Sequence, residues 1–217
     1  SITSMTNGDI EIMNGGEIAS MTGVYIDAFN VGGTINSLVD GAMVNFNGGT
    51  LLNWIRGTIT NLNSCSLALV QTNNIITNML GGIVASMTGG EITNMSGGTI
   101  TNLSDGIIHA FNTGATISTM AGGKITDFNN GTLTTWTGGE IENLNSGNIA
   151  LIQSNNKIEN MKGGSVTSMT GGEITNVDAG TISSVTGGVI DNFNNGGTIA
   201  TLDGGTINEF NNGALTN

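Results

Sequence analysis

The chain repeats one unit of eight residues over its whole length. The unit reads Gly-Gly-x-Ile-x-x-Φ-x, where Φ is a large apolar residue, and clear copies are GGEITNM (Gly89–Met95), GGEIENL (Gly138–Leu144) and GGEITNV (Gly171–Val177). We number the positions of the unit from one to eight. Short, uninterrupted repeats offer no unique segment from which an active-site loop could be built. The repeat therefore predicts a long and regular structural element.

Two positions of the unit are never polar. Position four is Ile, Leu, Val or Met in every copy, and position seven holds all the Phe and Trp residues of the chain. The other positions are mostly Gly, Asn, Thr, Ser and scattered charged residues, as expected for a solvated exterior with turns. Positions four and seven therefore predict the core. The core-packing residues predicted on this basis include Ile92, Met95, Ile100, Leu103, Phe111, Phe128, Trp136 and Ile174.

The composition and the spacing indicate an all-β fold. The chain has 36 Gly and no Pro, and each Gly inside a helix costs about 1 kcal/mol relative to Ala. Apolar residues at alternating steps of three and five do not stay on one face of a helix. Short strands joined by Gly-Gly or Asn-Gly turns fit both observations, because Gly and Asn tolerate positive φ. The sequence thus predicts a β-helix built from octapeptide units.

A longer period is superimposed on the unit. Every fifth unit has nine residues instead of eight, and these units end at Ile35, Ile76, Ile117, Ile158 and Ile199. Similar sequences recur after two such intervals, or ten units. Trp54 thus corresponds to Trp136, and Asn61–Met79 to Asn143–Met161. We interpret residues 1–217 as one continuous repeat, with a partial block at 1–53 and full blocks at 54–135 and 136–217. Because the chain begins and ends within a block, we expect it to be part of a longer fibre.

The sequence leaves two alternatives for the number of chains that form the β-helix. We expect three units to complete one turn. Five or ten units are then not a whole number of turns, so the nine-residue units would not return to one face of a single chain. This mismatch favours an intertwined parallel homotrimer, in which a periodic extra residue acts as a bulge. The alternative is a single-chain triangular β-solenoid, in which neighbouring coils pack like on like.

The octapeptide pattern resembles the triple-stranded β-helical shafts of bacteriophage tail fibres and cell-puncturing spikes. In this chain Gly precedes Ile by two or three residues, which differs from the Val-x-Gly order of the spike octad. The resemblance implies a homotrimeric structural element of a virion or an extracellular surface. Its implied partners are other virion or fibre proteins, with a host-cell glycan bound by a tip outside this segment. No catalytic residue is carried over from that family.

Few residues of the chain are candidates for catalysis or ligand binding. His109 is the only histidine, with Ile108 and Ala110 beside it, and we interpret it as a surface residue. Cys65 is the only cysteine and corresponds to Gly147 of the next block, so a tolerated corner substitution is expected rather than a nucleophile. A phosphate-binding loop needs Gly-Lys-Ser/Thr, whereas Lys124 is followed by Ile125. We therefore predict no enzyme activity, no catalytic or metal site and no cofactor.

Charge and hydropathy limit the partners. The net charge is −12, from 16 acidic and 4 basic side chains, which disfavours nucleic acid and anionic membrane surfaces. No apolar run approaches the roughly 20 residues that span a bilayer, so no membrane insertion is expected.

The predicted function is mechanical: a rigid shaft of a phage tail or similar extracellular appendage. The alternative is a single-chain β-solenoid segment of a bacterial surface adhesin or secreted filament. A third alternative, an ice-binding solenoid, is suggested by Thr-Ile-Thr at Thr58–Thr60 and Thr99–Thr101 and by Thr-Leu-Thr at Thr132–Thr134. Against ice binding, these sequences do not recur at a constant unit spacing, and Glu, Lys and Asp interrupt them.

Overall fold

The chain forms an all-β, parallel β-solenoid of about 13 turns, as seen in a computed structural model that describes residues 1–216. The β-helix architecture predicted from the repeat is confirmed. All strand pairs in the main sheet are parallel. The strands are β1 (Met5–Met13), β2 (Gly16–Ile18), β3 (Met21–Phe29), β4 (Gly33–Phe46), β5 (Thr50–Leu62), β6 (Ser66–Val70), β7 (Asn74–Met79), β8 (Ile83–Met95), β9 (Thr99–Asn112), β10 (Thr116–Met120), β11 (Lys124–Asn129), β12 (Thr132–Trp136), β13 (Gly139–Ser146), β14 (Asn148–Ile152), β15 (Asn156–Met161), β16 (Ser165–Leu202), β17 (Thr206–Asn211) and β18 (Ala214–Leu215).

One coil contains two units, so the expectation of three units per turn is wrong. Ile92 pairs with Ile108, two units later, and Ile108 pairs with Ile125, again two units later. The pairing includes Glu91, Ile92, Asn94 and Met95 but omits the residue at position five. This break at position five lets both apolar side chains of a unit point inward, where they join those of the other unit of the coil in one core. One unit therefore makes half a coil.

The two-unit coil also removes the reason for preferring three chains. Ten units make five coils, so the block period returns every residue to the same face of a single chain. The preference for a trimer depended on three units per turn, which the structure does not have. The structure shows the alternative, the single-chain solenoid, in which each coil bonds to the next coil of the same chain; an intertwined trimer is not shown.

The core is a continuous column of the side chains at positions four and seven. Ile92 and Met95, which are positions four and seven of one unit, are both fully buried. Phe111 and Phe128 lie on adjacent coils with their ring centroids 5.1 Å apart in an edge-to-face arrangement, a favourable geometry for aromatic pairs. The predicted core-packing residues are all buried in the structure: Ile92, Met95, Ile100, Leu103, Phe111, Phe128, Trp136 and Ile174.

Glycine at the corners lets successive coils approach each other closely. Gly98 has φ +75°, and a Cβ at this residue would lie 2.6 Å from the backbone oxygen of Gly81 on the preceding coil. Residues with a Cβ rarely adopt this φ, and no Cβ fits in this space. At Gly98, the turn and the spacing of the coils therefore both require glycine.

The nine-residue units place their additional residue at a corner. In the unit that ends at Ile76, the backbone N–H of Gln71 donates to Asn74 Oδ1 at 2.9 Å, and the N–H of Asn74 donates to the carbonyl of Gln71 at 3.0 Å. Gln153 and Asn156 form the same pair of bonds at 2.8 and 2.9 Å. The side chains of Asn74 and Asn156 are buried, so this corner is a built feature that recurs from one block to the next.

Candidate functional surfaces

The two units of each coil give the solenoid two different exteriors. Because like units lie beside like units, every second unit contributes to the same side. We define the charged face by the units whose position-seven residues run Met13, Phe29, Phe46 and onward in alternate units to Phe210. The hydroxyl face consists of the units whose position-seven residues run Met5, Met21, Leu38 and onward to Leu202, and of the last unit, which contains Leu215 and pairs with the unit before it on this face.

Charge is segregated between these faces. At the outward positions three, five and six, the hydroxyl face carries a single charged residue, Glu17. The same positions of the charged face carry His109 and a series of acids and lysines: Asp9, Glu11, Asp27, Glu91, Lys124, Asp127, Glu140, Glu142, Lys157, Glu159, Glu173, Asp191 and Glu209. The remaining charged residues occupy positions one and eight, near the corners. This segregation could not be recognised before the number of units per coil was known.

Polar side chains of the charged face bond to each other along the solenoid axis. Asn160 Nδ2 donates to Asn143 Oδ1 at 3.3 Å, and Asn176 Nδ2 donates to Asn160 Oδ1 at 3.0 Å. A second row at position eight includes Asn145, which donates to Asn129 at 2.9 Å. These rows join neighbouring coils through side chains in addition to the backbone ladder, so they reinforce the axis of the solenoid.

Ion pairs on the exterior also connect adjacent coils. Lys124 Nζ lies 2.8 Å from Glu142 Oε2 and 3.4 Å from Glu140 Oε1. The hydrogen bond with Glu142 raises the pKa of Lys124, with a smaller contribution from Glu140 against the opposing effect of desolvation. Arg56 and Asp40 form a two-point pair at a corner, with distances of 2.7 and 2.8 Å. These contacts join neighbouring coils through side chains.

His109 has a partner that sequence reasoning missed. Its Nε2 lies 2.7 Å from Glu91 Oε1, and both side chains are 42% exposed on the charged face. A whole unit separates the two residues in the sequence, so their proximity could be found only from the coil length. A carboxylate beside an imidazole can orient it, but nucleophilic catalysis also needs a nucleophile within hydrogen-bond reach, and the structure places this pair on an exterior sheet.

Cys65 is buried and chemically quiet. It is 4% exposed, and its Sγ lies 3.5 Å from the carbonyl oxygen of Phe46. Burial raises the pKa of its thiol to about 12. Since the thiolate is the reactive form, this environment is that of a packed residue rather than a nucleophile.

The hydroxyl face presents ranks of Thr and Ser. On the three coils around β10, these residues occupy nearly every outward position, and Thr116 pairs with Thr99 on one side and Thr132 on the other. Among the described residues at positions three, five and six of this face, three hydroxyls donate a hydrogen bond to the protein. Those of Ser165 and Thr167 donate to Asn148, and that of Thr216 donates to the carbonyl oxygen of Ala200. The other hydroxyls of these ranks are available to water.

A narrow break interrupts the hydroxyl face beside Trp136. Within residues 1–216, no backbone pairing joins β12 to β14, whereas β12 pairs with β10 and β14 pairs with β16. The resulting groove is lined by residues that include Leu133, Trp136, Leu151 and Gln153. Trp136 itself is 5% exposed and donates from Nε1 to the carbonyl of Gly138 at 2.9 Å, so the ring serves packing and not as an open platform.

Within the described residues, no three side chains of His, Cys, Asp or Glu are grouped as a metal site would require. Residues 1–216 also contain no helix that is long and apolar enough to cross a membrane. No protein-family model, curated protein or solved structure matches this chain.

Proposed function

We propose that this chain is a rigid spacer in an extracellular or virion-borne appendage, with a mechanical rather than a catalytic role. The observation that carries the proposal is the unbroken apolar column, in which Ile18 near one end and Ile199 near the other are both about 1% exposed or less. Parallel backbone pairing holds each coil to the next, with side-chain rows in addition. A chain of this kind resists bending because a bend must break several of these contacts at once.

The single-chain coil supports a solenoid segment of a surface adhesin or secreted filament over an interwound phage shaft. In an interwound trimer, each strand takes its backbone partners from other chains. Here the partners lie in the adjacent coils of the same chain. The expected partners are the neighbouring parts of such an appendage, and the expected location is an extracellular surface or a virion.

The spacer role is tested by changing the number of coils. Insertion of a second copy of residues 54–135 adds one full block, or five coils. At about 4.8 Å per coil, the particle should become longer by about 24 Å with an unchanged cross-section. Small-angle X-ray scattering gives both dimensions. A thicker particle or a loss of cooperative unfolding on insertion would contradict the proposal.

The number of chains in each particle is measured on the same samples. Light scattering behind a sizing column should give a mass near the 22.0 kDa of one chain. A mass of three chains would support the interwound shaft instead.

A further inference from the structure

We propose that the hydroxyl face is a binding surface for ice, that is, for an ordered lattice of water. The surface lies mainly on two groups of adjacent coils, around β10 and along β16. In these coils and the coil between them, its outward residues are those at positions three, five and six of the seven hydroxyl-face units from Thr99 to Thr201. All are Ser or Thr except Asn102, Asn148, Ala150, Leu151 and Ala200.

The array is regular in two directions. Along the axis, Thr99, Thr116 and Thr132 are directly paired, so their hydroxyls repeat at the strand spacing of about 4.8 Å. Along each strand, positions three and five are two residues apart, or about 6.5 Å. Both spacings are similar to distances between water molecules in ice. A surface that repeats in two dimensions can bind a lattice at many points, whereas a single rank cannot.

The chemistry of the array also fits ice. A Thr side chain offers a hydroxyl that both donates and accepts a hydrogen bond. The methyl group beside it forms no hydrogen bond, so it does not compete with the hydrogen bonds between water molecules. Thr101 and Thr134 are exposed, and their hydroxyls have no protein partner among the described residues. A carboxylate or an ammonium group would instead hold its own strong hydration shell, which does not match the lattice.

The charged face provides an internal comparison. Its exterior positions belong to the same coils, yet they carry Glu91, Lys124, Glu140 and Lys157. Many of its polar side chains bond to each other rather than to water. A polar exterior on this solenoid therefore does not require Thr and Ser on both sides. In residues 18–216, the absence of charge from outward positions three, five and six is a property of the hydroxyl face alone.

The irregular spacing of the Thr-x-Thr sequences along the chain is no longer an argument against ice binding once the coil length is known. The Thr-x-Thr sequences do not recur in consecutive units, and charged residues stand between them. With two units in each coil, the intervening units lie on the opposite side of the solenoid. Thr99–Thr101 and Thr132–Thr134 then share one face, while Thr58–Thr60 lies on the other.

The test uses two matched substitutions, Thr101→Lys on the hydroxyl face and Thr93→Lys on the charged face. Both are position-five threonines, both are exposed, and they lie in consecutive units. We expect the unmodified chain to inhibit ice recrystallisation and to be taken up into a slowly grown ice crystal. Thr101→Lys should lower both activities at least fivefold, because one lysine places a strongly hydrated charge within the array. Thr93→Lys should retain them.

Each alternative outcome is decisive. Exclusion of the unmodified chain from ice, or an equal loss of activity in both variants with unchanged thermal unfolding, would overturn the proposal. A dimer in light scattering that Thr101→Lys dissociates would show that the face instead binds a second copy, and would also overturn it. The block insertion that tests the spacer role does not depend on any of these results, so the two proposals fail separately.

Discussion

The side chain of Gln153 replaces a backbone bond at Trp136. Its Nε2 donates to the carbonyl oxygen of Trp136 at 3.0 Å, and Gln71 makes the same bond to Trp54 at 2.8 Å. At other position-eight residues the backbone N–H makes this contact, as in the bond from Thr137 to Met120 at 2.8 Å. The N–H of Gln153 instead bonds to Asn156 in the nine-residue corner. The glutamine thus joins two coils where the ladder is interrupted.

Substitution of Gln153 by Met should destabilise the solenoid. Methionine has a similar length but no donor, so the carbonyl of the nearly buried Trp136 loses its partner. We expect a loss of about 1–3 kcal/mol in the free energy of unfolding, the usual cost of an unsatisfied buried acceptor. Equilibrium unfolding in urea measures this change.

The control for this substitution is Thr186→Ala, at an exposed position eight of the same face. It should change the unfolding free energy by less than about 0.5 kcal/mol. If the two substitutions have equal effects, the bond from Gln153 to Trp136 contributes nothing of its own.

A second prediction separates backbone strain from crowding at the corners. Gly98 and Gly32 have similar φ values, +75° and +87°, but a Cβ at Gly98 would lie 2.6 Å from a backbone oxygen, whereas nothing lies within 4 Å of a Cβ at Gly32. Replacement of Gly32 by Ala should cost about 1–2 kcal/mol from the left-handed conformation alone. The same replacement at Gly98 should cost clearly more, because the coils must also separate. Equal midpoints of thermal unfolding for the two variants would contradict this account of the coil spacing.

The all-β class and the core positions were accessible from the sequence because they depend on local pattern alone. Ile92 and Met95 are apolar in a unit that is otherwise polar, whatever the coil length. The coil length itself was not accessible. Two inward positions three residues apart fit either a bent strand with both side chains inside or a straight strand with opposite faces, and only the backbone path distinguishes them.

Errors about the surface followed from that one uncertainty. The contact of His109 with Glu91 and the segregation of charge both require that residues in alternate units be neighbours. With three units per turn, the same residues would lie on different sides. With Ile92 known to pair with Ile108, both features follow directly from the sequence.

A third prediction concerns Arg56, which has φ +59° and pairs with Asp40 on the exterior. Both side chains are about half exposed, so the pair should contribute only about 0.2–1 kcal/mol. Arg56→Ala loses the pair and keeps the unfavourable φ. Arg56→Gly loses the pair but removes the clash of Cβ with the backbone. We expect the Gly variant to be more stable than the Ala variant by about 1 kcal/mol in urea unfolding. The reverse order would show that the corner holds this φ without strain.

The last prediction is a pH dependence that arises from Cys65. Burial raises its thiol pKa from 9.0 to about 12 in the folded chain, so between these values the folded state binds more protons at this residue than the unfolded state does. Stability contributed by the neutral thiol is complete below pH 9 and decreases as the pH rises toward 12.

The measurement compares the unmodified chain with Cys65→Ala from pH 8 to pH 11. Other groups titrate in this range, but they are common to both chains and cancel in the difference. Relative to its value at pH 8, the unfolding free energy of the unmodified chain should fall by about 2–3 kcal/mol more than that of Cys65→Ala, since a tenfold change in the acid dissociation constant corresponds to about 1.4 kcal/mol. If the two chains lose stability in parallel, the thiol ionises without unfolding, and the corner at Cys65 must open to water while the neighbouring coils remain folded.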